Sequence, residues 1–180
     1  MTESASAADR PVPVRLAEGA ALLSTGLLAG AFGYGAVNLA PTFHAVPLDM
    51  RLSFHAELMK MNGITMQTTM AASALSSLAL AAMTRGTARR LAGGAGLLAV
   101  SSFLITRFGN VPINGRIKRW AVTSAPADHA EILRRWDLFN DLRTLAALCA
   151  FALLIALALR RPRPAAPLPL RDTLAARART

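Results

Sequence analysis

The chain has 180 residues, 53% of them hydrophobic and 17% charged, with a mean hydropathy of +0.39, which is too apolar for a soluble domain of this length. Its net charge of +10 and pI of 11.6 do not indicate nucleic-acid binding, because the basic residues flank apolar runs instead of covering a polar face. A single cysteine, Cys149, excludes an intrachain disulfide framework and a cysteine-based metal site.

Residues 1–15 are polar, small and Pro-containing, lack the pattern of a cleaved signal peptide, and are expected to form a disordered tail. The first apolar stretch, about 16–40, is long enough to cross a bilayer core of roughly 30 Å and carries Gly26, Gly30 and Gly33, small residues that admit a neighbouring backbone. Pro41 and Pro47 then bracket a connection, and a second helix beginning near Leu52 supplies a span over about 55–83. A short basic connection, Thr84 to Arg90, leads to a third span over about 91–112, ending at Pro112. Asp128 and Glu131 have the spacing of a capping box and predict the start of a fourth helix, whose span covers about 138–160. Residues 161–180 form a Pro- and Arg-rich tail. The predicted architecture is all-α, a four-transmembrane-helix bundle occupying residues 16–160.

Four spans place both termini and the Thr84 to Arg90 connection on one side. Those segments hold eleven of the twenty Lys and Arg and four of the ten acidic residues, so that side is predicted to be cytoplasmic. The expected location is a multi-pass position in a bacterial plasma membrane. The connection after Asn114 is itself basic, with Arg116, Lys118 and Arg119, and opposes this assignment in part.

Alternating helix direction gathers the polar residues of the spans at the opposite, non-cytoplasmic end. Asn38 ends the first span, and Glu57, Lys60, Asn62 and Gln67 open the second. Arg107, Asn110 and Asn114 end the third, and Asn140, Asp141 and Arg143 open the fourth, while Trp120 and Trp136 on that side fit an interfacial aromatic belt. Residues three, four and seven apart share a helix face, so Arg107, Asn110 and Asn114 form one stripe and Trp136, Asn140 and Arg143 another. Ionised groups at bilayer depth each cost on the order of 2.5–3.5 kcal/mol on insertion scales, so a group of them implies mutual pairing or a wet cavity. The competing structural reading is snorkelling at the interface with Asn as interhelical glue. His44, His55 and Glu57 also offer a two-histidine, one-carboxylate set for iron, and Met59, Met66 and Met70 a thioether face for copper, although neither spacing is specific.

The elements Asn110-Val-Pro-Ile-Asn114, followed by Trp120, and Arg135-Trp136-Asp-Leu-Phe-Asn140-Asp-Leu-Arg143 resemble those of the small four-helix membrane proteins that include the anthrone oxygenases of fungi. The resemblance spans most of Leu16 to Leu159. It implies a membrane-embedded tailoring oxygenase that takes an anthrone-like aromatic or polyketide substrate to a quinone with molecular oxygen and no cofactor. Under that reading Glu57 or His55 serves as base, and Arg107, Asn110, Asn114, Asn140 and Arg143 stabilise developing oxyanions. Asn38, His44, Lys60, Gln67, Trp120 and Trp136 then line the substrate. The expected partners are a small aromatic molecule and the lipid bilayer. Two other classes compete: an enzyme of redox or nitrogen-centred chemistry, with or without a metal, and a non-enzymatic membrane protein of small-molecule binding, export or accessory role.

Overall fold

The computed structural model describes residues 11–160, all helical apart from short connections. The helices are α1 (Val12–Tyr34), α2 (Ala40–Ala45), α3 (Leu48–Met83), α4 (Gly86–Ile105), α5 (Val111–Trp120) and α6 (His129–Ala158). Two π turns, Gly35–Leu39 and Thr106–Asn110, join α1 to α2 and α4 to α5 without a break. The expected tails at 1–10 and 161–180 lie outside the described residues, while 12–15 belong to α1.

Each helix outruns its apolar stretch, and the reason is the same at both internal prolines. Pro41 and Pro112 each stand two residues after a π turn, within the first turn of the helix that follows. A proline there has no intrahelical N–H to lose, and the widened turn before it makes room for the ring. The chain therefore continues to Ala45 and to Trp120 where the sequence suggests stops at Ala40 and Pro112. The real breaks fall at Val46-Pro47 and after Trp120. Between α3 and α4 the chain turns through Gly86, whose φ of +59° favours glycine, and the Arg89 guanidinium donates to the Ala81 and Thr84 carbonyls left open at the end of α3. Asp128 does occupy the N-cap of α6, but its side chain makes no capping bond. Glu131 instead pairs with Arg134 and Arg135 on the exposed face.

The four long helices form a ring in which α1 and α4 each pack against both α3 and α6. Small side chains set the close approaches. Ala92, Ala95, Ala99, Ala147 and Ala150 are fully buried, and Gly94 and Gly26 lie against the Leu153 and Phe151 side chains. Thr25 and Ser73 share a buried hydroxyl–hydroxyl bond of 2.7 Å between α1 and α3, a contact worth about 0.6 kcal/mol in a membrane interior.

Three helical stretches, Val12–Ala45, Gly86–Trp120 and His129–Ala158, are long and apolar enough to cross a membrane, with mean hydropathies of 1.5, 1.5 and 1.9. Large apolar side chains such as Val37, Leu97 and Leu145 stay exposed around them, a surface stable in lipid and prone to aggregation in water. The chain is an integral membrane protein. The expected fourth span, α3, does not qualify by composition: Gln67, Thr68, Thr69, Ser73, Ser76 and Ser77 dilute its apolar body.

One end of the ring is sealed by Ala21, Leu80, Ala92, Ala95, Ala150 and Leu154. At the other end Phe43, Leu52, Ile113, Ile117, Ile132, Leu133 and Trp136 form a second core from α2, α3, α5 and α6. The polar residues of interest surround this second core.

Candidate functional site

Two polar groups meet at that end, one sealed and one open. The sealed group centres on Asn114 of α5. Its Oδ1 accepts the Trp136 indole N–H at 2.7 Å and lies 3.2 Å from His55 Nε2, while its Nδ2 donates to the Met59 sulfur at 3.3 Å. Beside it, Asn110 Nδ2 donates to the Trp136 carbonyl at 3.1 Å. His55 is fully buried, stacked on Phe43 with centroids 4.9 Å apart and edge-on to Trp136 at 4.7 Å. The π turn ends at Asn110 and rotates it inward, and Gly109 before it leaves room for the Phe139 ring.

The open group lies on the other elements around Phe43. A recess of 280 Å³, near the lower end of the range of about 300–1,000 Å³ for small-molecule sites, is lined by Phe43, His44, Leu48, Arg51, Leu133 and Asp137 among others. Arginine only donates, so the 3.4 Å contact from Arg51 Nη1 makes His44 Nδ1 the acceptor. His44 then carries its proton on Nε2, which stands 3.1 Å from Asp137 Oδ2. The other Asp137 oxygen has no hydrogen-bond partner and lies 3.5 Å from Arg51 Nη2. Arg51 is 6% exposed, and its guanidinium carbon sits 5.7 Å from the centre of the Phe43 ring.

A third pair lies deeper on α6. Arg143 Nη2 donates to Asn140 Oδ1 at 2.8 Å and the guanidinium covers the Phe32 ring at 4.4 Å. The Arg143 backbone carbonyl accepts from Ser102 of α4 at 3.0 Å.

Of the residues singled out in the sequence, the structure brings together His55, Asn110, Asn114 and Trp136, pairs Asn140 with Arg143, and places His44 in the recess. Trp120 packs at the margin of the second core. Glu57 and Lys60 form an exposed ion pair of 2.5 Å on the outer surface of α3, and Asn38, Gln67 and Arg107 are also exposed. Among the described residues no three His, Cys, Asp or Glu converge to hold a metal ion, so His44, His55 and Glu57 do not form a ligand set. Met59 faces Asn114 while Met70 packs near Leu28, which separates the thioether face into different contacts. Sequence reasoning missed Arg51 and Asp137. Arg51 precedes His55 by four residues, so helical spacing carried a signal for it, whereas Asp137 lies inside the Arg135 to Arg143 element among other polar residues.

Neither a curated protein nor a solved structure matches the chain. The sequence profile of the family described as anthrone oxygenase matches residues 54–153, more than half of the chain, and takes in His55, Asn110, Asn114, Trp136, Asp137, Asn140 and Arg143. Residues 54–153 therefore carry the sealed network and one wall of the recess, and the chain belongs to the anthrone oxygenase family.

Proposed function

We propose that the protein is a membrane-embedded oxygenase that converts an activated aromatic methylene, as in an anthrone, to a ketone at the recess between α2, α3 and α6. The observation that carries this reading is the carboxylate of Asp137. It lies in the family-matched segment, lines the recess, is held through one oxygen by His44, and keeps the other without a hydrogen-bond partner, 3.5 Å from Arg51 Nη2. In this reading that second oxygen takes the benzylic proton, and the positive charge of Arg51 stabilises the enolate that forms. The enolate passes one electron to dioxygen, and the resulting radical pair joins as a carbon-bound peroxide that takes up a proton. Loss of the second benzylic proton with cleavage of the O–O bond leaves the carbonyl and releases water. One methylene and one dioxygen thus give one carbonyl and one water. The electrons come from the substrate carbanion, so the sequence of steps calls on no separate reductant.

Asp137 replaces Glu57 and His55 as the base in this reading, because Glu57 faces outward in an ion pair and His55 is covered by Phe43 and Trp136. All four long helices cross the bilayer in this reading, with both termini cytoplasmic and the recess at the non-cytoplasmic end. Two facts support including α3: it packs against α1 and α4, and it exposes Met61, Ile64 and Leu75 outward.

The test is oxygen uptake and quinone formation by purified protein in detergent with an anthrone. Equimolar uptake and product above the spontaneous rate are expected, and Asp137→Asn is expected to lower that rate about 100-fold or more, well beyond any effect of Glu57→Gln. No acceleration over the spontaneous oxidation would remove the reading.

A further inference from the structure

A guanidinium presents two hydrogen-bonding edges, and in Arg51 they are used unequally. Nη1 contacts His44 Nδ1, whereas Nε and Nη2, the adjacent pair that forms the side-on fork, have no hydrogen-bond partner although both are buried. Asp137 Oδ1 stands off at 3.5 Å from Nη2 without closing the fork. Leaving charged donors buried and unsatisfied is costly, and the fork geometry matches two oxygens of one planar anion. The recess these groups line has an aromatic wall in Phe43.

From this geometry we infer that the recess recognises a planar aromatic molecule already carrying a bidentate oxyanion, and that Arg51 is the residue that selects it. An aromatic carboxylate and an ionised β-hydroxy-ketone share that chemistry. The inference rests on the recess being the substrate site, and it goes beyond membership of the family. Arg51 and His44 lie outside the matched residues 54–153, so the selecting side chain belongs to a part of the chain that the family profile does not cover. A substrate held this way is tethered through its acidic oxygens at Arg51, leaving its methylene to meet Asp137 across the same recess.

Binding without turnover separates this inference from the oxygenase reading. The probes are anthracene-2-carboxylate and anthracene-2-carboxamide, titrated anaerobically into protein in detergent and read by probe fluorescence against protein-free micelles. The carboxylate is expected to bind at least about tenfold more tightly than the amide, and an ionised 1-hydroxy-9-anthrone to compete with it. Arg51→Gln should erase the preference, and Arg51→Lys should restore only part of it, since an ammonium cannot form the fork. Asp137→Asn should strengthen carboxylate binding by removing the competing anion, even as it slows oxygenation. Equal binding of carboxylate and amide, no saturable binding of either, or a preference that survives Arg51→Gln would overturn the inference. Turnover of a neutral anthrone with no carboxylate preference would do the same and leave the oxygenase reading standing. Should Arg51→Gln fail to fold, the carboxylate-to-amide ratio on the unaltered protein decides alone.

Discussion

The indole of Trp136 and the amide of Asn114 together fix the hydrogen atoms of a buried histidine. An indole nitrogen only donates, so the 2.7 Å contact makes the Asn114 atom facing it the amide oxygen and orients the whole amide. The same oxygen meets His55 Nε2 at 3.2 Å, so that nitrogen must carry a hydrogen and donate it. In the neutral ring the lone pair is left on Nδ1, which is buried and has no partner. One asparagine therefore ties α5 to α3 and α6 and sets a tautomer.

Removing that acceptor strands two donors at once. Asn114→Leu should destabilise the protein by on the order of 2–4 kcal/mol, seen as a lower unfolding temperature in detergent. Trp136→Phe, which removes one donor and leaves His55 bonded, should cost about 1 kcal/mol for the lost bond plus a packing loss from the smaller ring. If Asn114→Leu proved as stable as the unaltered protein, the shared acceptor would not be what holds this end of the bundle.

Gly109 makes a separate prediction about the π turn. A Cβ at this position would fall 2.5 Å from Cγ of the Phe139 ring, a rigid group that cannot give way as a chain end could. Gly109→Ala should cost about 1–3 kcal/mol by overpacking. Adding Phe139→Leu should recover part of that loss, and thermal unfolding of the two variants checks it. A neutral Gly109→Ala would mean that α6 can shift freely against the turn.

Much of this end of the molecule was legible in the sequence, and the limits have physical causes. Placing polar residues by depth on alternating helices puts Asn110, Asn114 and Asn140 toward one end of the bundle, whereas the contacts of Asn114 with His55 and Trp136 do not follow from depth alone. The two π turns were not legible: a five-residue widening leaves no compositional mark, and a proline reads as a stop unless the turn before it is known. Each extra turn changes which residues face inward. That is why Asn110 is buried while Arg107, placed on the same stripe by regular spacing, is exposed. Asp137 was hidden for another reason. It is one of four charged or amide residues within Asp137–Arg143, and nothing in that pattern reveals that His44, from a helix beyond a proline, would reach it.

The proposed topology rests on charge, and single cysteines can read it. In a Cys149→Ala background, Ser124→Cys in the connection between α5 and α6 should react with an impermeant reagent added outside intact cells. Thr87→Cys, at the start of α4, should react only after permeabilisation, because the segment around it carries Arg85, Arg89 and Arg90. The reverse pattern would invert the protein and move the recess to the cytoplasmic face.

Asn114, Asn140 and Arg143, given a common oxyanion-stabilising role by the family resemblance, fall into two separate sets of contacts. Asn114 bonds to Trp136, His55 and Met59, whereas Arg143 bonds to Asn140 and covers Phe32 of α1. The two sets share only the body of α6, which leads to a quantitative expectation from double-mutant cycles. Phe32→Leu and Arg143→Lys should each lower stability, with a coupling of about 0.5–2 kcal/mol for a cation over an aromatic face shielded from water. Arg143→Lys combined with Asn114→Leu should instead be additive to within about 0.5 kcal/mol, as for sites without shared partners. The measurement is unfolding of the four proteins of each cycle in the same detergent. Strong coupling between Asn114 and Arg143 would join the two sets into one, and would require α6 to transmit a shift in the Trp136 indole along the two turns that separate it from Arg143.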